Sequence, residues 1–144
     1  MLKSFFPILL IAALSVVSCG KGGVEPTETP EEVVARFYAY VEEGGTTTLG
    51  EAYRLISKKH YEMHEDIFKN MVKEYPKGMD VKIIGSTVED GVAVVTIEYR
   101  VASMFNDYFI TQTDINLEMD EESNSWKIDF TGETYDETPS MYAS

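Results

Sequence analysis

The chain has 144 residues, 44% of them hydrophobic, with 25 acidic side chains against 12 basic ones and a net charge of −13. That length suits one domain with a packed core, and the acidic balance excludes broad electrostatic docking on nucleic acid or on anionic headgroups. Cys19 is the only cysteine, so no intrachain disulfide holds the fold and its stability must come from packing.

Met1 to Ser4 form a short positive segment through Lys3, and Phe5 to Val17 an apolar run broken only by Pro7 and Ser15, with Ser18 directly before Cys19. An apolar run this short suits a secretory signal peptide and not a membrane span. The segment resembles a bacterial lipoprotein signal with its lipobox, in which the cysteine thiol is acylated and becomes the first residue of the mature chain. The resemblance implies that residues 1–18 are removed and that the protein meets the membrane through a lipid anchor on Cys19. With that thiol acylated, no residue is left for thiolate metal binding or cysteine nucleophile chemistry. Gly20 stands where an aspartate would mark inner-membrane retention, so the outer membrane of the cell envelope is expected, on its periplasmic face.

Residues 19–29 are rich in Gly, Pro, Thr and Glu and read as a flexible tether, because such a stretch cannot bury enough surface to offset its ordering entropy. A single domain is expected over residues 30–136. Thr29-Pro30-Glu31-Glu32 is a capping box opening a helix, with Val33, Val34, Phe37, Tyr38 and Val41 on one face and a stop at Gly44-Gly45. A second box, Thr48 to Glu51, predicts a shorter helix with Ala52, Leu55 and Ile56 inward. A third helical pattern carries Tyr61, His64, Ile67, Phe68, Met71, Val72 and Tyr75 as far as Pro76-Lys77-Gly78.

From Asp80 the apolar period changes from about 3.6 to about 2. Val81 and Ile83 start a strand that ends at Asp90-Gly91, a tight-turn pair. Ala93, Val95, Ile97, Tyr99 and Val101 share one face of the returning strand. After a turn at Asn106-Asp107, Phe109, Ile115, Leu117 and Met119 face inward on a long strand, and Thr111 and Thr113 are placed on the same buried face. Gln112, Asp114, Asn116 and Glu118 take the other face. A polar turn at Asp120 to Asn124 leads to a last strand with Trp126, Ile128 and Phe130 inward. Residues 137–144 are expected to be an irregular tail. The order is α+β, with N-terminal helices packed on the concave face of a curved four-stranded antiparallel sheet.

Thr29 to Tyr38, the short helix near Glu51-Ala52-Tyr53, the Gly91 to Val95 hairpin strand and the closing Trp126-Lys127-Ile128 resemble bacterial lipoprotein domains of the nuclear-transport-factor-two-like superfamily. The resemblance implies a cone of three helices inside a bent sheet. It does not imply one activity, since the superfamily holds ketosteroid isomerase, scytalone dehydratase and polyketide cyclases beside non-catalytic binding modules.

No catalytic set can be carried over residue by residue, and no cofactor is expected. Tyr38, Tyr61, His64, Tyr99 and Asp114 are the candidates to line a cavity, with Tyr53 also near its mouth. An acid–base role would need one of the titratable groups in an apolar pocket, and Asp114 lies between polar neighbours that favour a solvent face. His60 and His64 sit four apart, on one face if helical, yet His60-Tyr61-Glu62-Met63-His64 is not the metalloprotease pattern. Both read as half-buried residues at a helix edge, and no metal is expected. The reading favoured is a non-catalytic envelope lipoprotein that binds a small apolar ligand or an envelope protein partner. An isomerase-, dehydratase- or cyclase-type enzyme acting on a hydrophobic substrate is the alternative, and a homodimer through the exposed sheet face is a third reading.

Overall fold

The computed structural model describes residues 25–105 and 107–132. The signal segment 1–18, Cys19, the first part of the tether, Asn106 of the expected turn and the tail 137–144 lie outside the described residues.

Three helices precede four strands: α1 (Pro30–Glu43), α2 (Thr46–Tyr53), α3 (Glu65–Lys73), β1 (Asp80–Glu89), β2 (Val92–Ala102), β3 (Tyr108–Asp120) and β4 (Ser125–Ile128), with a closing 3-10 turn at Phe130–Gly132. The α1 cap is the one its sequence predicts. Thr29 accepts from the Glu32 N–H, Glu32 Oε2 accepts from the Thr29 N–H at 2.8 Å, and Gly44 ends the helix with φ at 68°. Before the cap, Glu28 pairs with Arg36 at 2.9 Å.

Two helix starts differ from expectation. α2 begins at Thr46 with Gly45 as N-cap, and the Thr48 hydroxyl donates to the Gly45 carbonyl at 2.9 Å instead of capping a helix of its own. α3 begins only at Glu65, so His60, Tyr61 and His64 are not on a helix face. The chain between α2 and α3 is held by the sheet. Ile56 and Ile128 form a parallel bridge, with the Ile128 N–H donating to Leu55 O at 2.8 Å and the Ser57 N–H to Ile128 O at 2.7 Å. Ile56 therefore ends as a sheet edge and not as part of α2.

The strands run as an antiparallel meander, β1-β2-β3-β4. Asp90 and Gly91, with φ of 50° and 76°, form the two-residue turn whose twist matches the flanking strands. A register shift between Ile83 and Gly85 marks a bulge in β1, the kind of irregularity that bends a sheet. Ala93, Val95, Ile97, Ile115, Leu117, Trp126 and Ile128 turn the concave face towards Val33, Val34, Phe37, Leu49, Ala52, Phe68 and Val72 of the helices. The inward pattern of β3 holds only over its second half. Phe109, Thr111 and Thr113 are exposed, because the helices cover the sheet near β4 and leave the far end of the β2–β3 hairpin bare. Ile67, expected inward on α3, is 52% exposed.

Candidate functional site

The centre of the concave face is filled. Phe37 packs with tilted rings against Phe68 and Phe130 at ring-centroid distances of 6.1 and 5.9 Å, Tyr53 lies 5.6 Å from Phe68, and Phe68 meets Phe130 edge-on. Met63, Met71 and Tyr99 pack against the same core. Tilted and edge-on aromatic contacts stabilise a core beyond the area they bury.

Open space lies to one side, where α1, the end of α3 and β1 meet. A cleft of about 1020 Å³ runs between Tyr38, Ala39 and Val41 on one wall and Val81 and Ile83 on the other, with Val72, Tyr75 and Met79 along its length. Local sequence explains its shape. Ala35 and Ala39 are small residues on the outer side of α1, and Gly78, with φ at 73°, turns the chain from α3 into β1. Glu42, Glu43, Lys73, Lys77 and Asp80 border the cleft, and all five are exposed. Its charges therefore sit at the rim, around aromatic and aliphatic walls.

Of the five pocket candidates read from sequence, Tyr38 lines this cleft. Tyr99 lies on the concave face opposite Val81, half-buried against the core, and is not one of the lining residues. Tyr61 is exposed in the segment between α2 and α3, and His64 is the exposed N-cap residue of α3 without a side-chain capping bond. Asp114 is on the outer face of β3, exposed, where it accepts from the Thr96 hydroxyl at 2.6 Å. The structure does not bring these five together. Tyr75, Met79, Val81 and Ile83 also line the cleft, which sequence alone does not reveal, because apolar residues at helix and strand spacings look the same whether they end in a core or along a cleft.

A second cluster lies on the outer face of the sheet, beyond the core. Glu118 belongs by alternation with Gln112, Asp114 and Asn116, and was expected to face solvent, yet its side chain is 11% exposed. The Ile56–Ile128 bridge is the cause, since it carries Ser57 to His60 over this end of β3. The Ser57 hydroxyl donates to Glu118 Oε1, His60 Nε2 lies 3.0 Å from Oε2 and Lys59 Nζ 3.9 Å from the same oxygen. Asp129, just past β4, completes a group with His60 and Glu118 in which one ligand atom from each lies within 4.8 Å of the others. Beside it, burial pushes the Lys127 ammonium below its ordinary pKa, and that ammonium donates to the Arg54 carbonyl at 2.7 Å. The expected placement of His60 and His64, half-buried on one helix face, is thus replaced by two exposed loop residues, one of which meets a buried carboxylate.

Comparison with solved structures gives the fold. A candidate calcium/calmodulin-dependent protein kinase type II association domain from Thiobacillus denitrificans matches at a TM-score of 0.50 and 12% identity, over 74% of this chain and 93% of its own. A candidate NTF2-like transpeptidase from Campylobacter jejuni matches at 0.50 and 12% identity, over 71% and 98%. RPA3114, a SEC-C motif containing protein from Rhodopseudomonas palustris, matches at 0.51 and 11% identity, over 70% and 75%. The three helices and curved antiparallel sheet are those of an NTF2-like cone, and identities this low speak for the fold alone. No family model and no curated protein matches the sequence.

Proposed function

We propose that this NTF2-like domain is a binding module of the cell envelope, tethered through acylated Cys19 and holding a small apolar ligand in the cleft between α1 and β1. The observation that carries the reading is the cleft itself, about 1020 Å³ with Tyr38, Val41, Tyr75, Val81 and Ile83 in its walls and its charges at the rim. Aliphatic and aromatic side chains share the lining with charged and backbone polar groups, a mixed surface that can both hold and orient a small molecule. General acid–base work needs a carboxylate or imidazole withdrawn from water, and the titratable carboxylates bordering this cleft, Glu42, Glu43 and Asp80, are exposed. That supports binding over isomerase, dehydratase or cyclase chemistry.

The lipid anchor rests on the Ser18-Cys19 junction behind its apolar run. Acyl chains contribute about 0.8 kcal/mol per buried methylene, so several chains on one residue hold a protein at the membrane durably.

Two measurements test the two halves. Nile red added to the chain from Gly20 onward should gain fluorescence saturably, and Ala39→Trp, which fills the cleft from an exposed position, should abolish the gain without lowering the melting temperature. Equal dye binding by both proteins refutes the cleft. Radiolabelled palmitate should enter the full chain in cells and not a Cys19→Ala variant; incorporation into both, or into neither, refutes the anchor.

A further inference from the structure

We propose that His60, Glu118 and Asp129 form a binding site for a zinc-type divalent cation on the outer face of the sheet, separate from the cleft. Three stretches of chain meet there: the segment after α2, the last turn of the ladder on β3, and the residue that follows β4. They bring one imidazole nitrogen and two carboxylates together, a mixed set whose two negative charges match a divalent ion and whose nitrogen suits a borderline-soft metal.

The geometry is near what such an ion requires. Ligand atoms around tetrahedral zinc lie about 3.3 Å apart when each bond is about 2.0–2.1 Å. His60 Nε2 and Glu118 Oε2 are 3.0 Å apart, and the full set lies within 4.8 Å. Closing it on an ion moves a side chain by up to about 1.5 Å. His60 can supply that movement, because its side chain is 53% exposed in a non-helical segment.

The carboxylates are already oriented. Ser57 donates its hydroxyl to Glu118 Oε1, leaving Oε2 towards His60. Thr131 holds Asp129 through two bonds to Oδ1, from its N–H at 2.9 Å and from its hydroxyl at 2.5 Å. Partners of this kind, which fix a ligand without touching the ion, are what metal sites use to set affinity. Lys59, 3.9 Å from Glu118 Oε2 and 67% exposed, is the cation that a metal would displace into solvent. Three protein ligands with solvent on the His60 side leave the fourth position to water.

The test uses the full chain, purified in detergent and stripped with a chelator, titrated with zinc sulfate in a calorimeter. One equivalent should bind and raise the melting temperature. Glu118→Gln, which keeps the shape and a hydrogen-bonding partner for Ser57, should weaken uptake about tenfold or more. His60→Ala should do the same, and because His60 is exposed its loss does not threaten the fold. His64→Ala should bind as the unaltered chain does. Absence of saturable uptake, or uptake that His60→Ala leaves unchanged, overturns the proposal. So does a loss that His64→Ala produces equally, since that would mark scattered surface histidine binding.

Discussion

Ile56 and Ile128 lie side by side in a parallel bridge, where the chain between α2 and α3 joins the edge of the sheet. Both are buried, at 5% and 3% exposure, and the two backbone bonds beside them tie Leu55 and Ser57 to the end of β4. This pairing fills the concave core from one side and, within the next four residues, delivers Ser57 and His60 to Glu118 on the other.

Ile56→Ala should therefore cost about 2–4 kcal/mol, the usual loss for emptying a buried aliphatic position. Urea denaturation followed by the fluorescence of Trp126, itself buried beside this edge, measures it. A loss within about 0.5 kcal/mol would mean that the bridge contributes little to the core.

Thr29→Ala removes the acceptor for the Glu32 N–H at the start of α1 and should cost about 1 kcal/mol. Glu32→Ala breaks the reciprocal half of the box, and the double variant should cost less than the two losses added, because each residue holds the other in place. Additive losses in chemical denaturation would contradict a coupled box.

Gly91→Ala places a side chain at φ 76°, in ordinary van der Waals contact with the Met119 Cβ at 4.0 Å. The expected cost is about 1 kcal/mol, all of it backbone strain and none of it a clash. Replacing Asp90-Gly91 by Asn-Gly keeps both positive φ values favourable and should leave the melting temperature nearly unchanged.

Acid should act on the α1–β1 contact. The Ser86 hydroxyl, donating to the Glu31 carboxylate, holds that carboxyl below its ordinary pKa of 4.5. A carboxyl lowered in the folded state stabilises the fold above its unfolded pKa, and the contribution disappears as the pH falls through the folded value. Asp120, lowered chiefly by the Ser123 hydroxyl, acts in the same direction from 3.8. Ser86→Ala should accordingly lower stability at neutral pH by less than about 1 kcal/mol, given how open Glu31 is to water. Melting curves against pH should show the gap between the two proteins closing as the pH drops below 4.5. A gap that persists in acid would assign the effect to packing.

The elements legible in the sequence are those that a short window of residues decides. Thr29 to Glu32 spell out a cap, Gly44 a stop and Asp90-Gly91 a turn, and each is set by the φ values and hydrogen bonds available to neighbours in the chain. Alternation from Val81 to Val101 likewise settled which face of β2 is buried. His64 and Tyr61 read as helical because apolar spacing continues back from α3 into a non-helical segment that follows the bridge at Ile56.

By itself, then, the sequence determined the α+β order, the inward face of most strands and the acidic net charge of −13. Only the tertiary structure decided where space remains and which polar groups meet. The cleft exists because aromatic rings from α1, α2, α3 and the closing turn fill the cone's centre and leave its α1–β1 margin open, a result of summed volumes that no local pattern encodes. Glu118 reads as one more solvated carboxylate on an alternating strand. It is buried because Ser57 and His60, 61 and 58 residues away in the chain, are folded over it by a single bridge at Ile128.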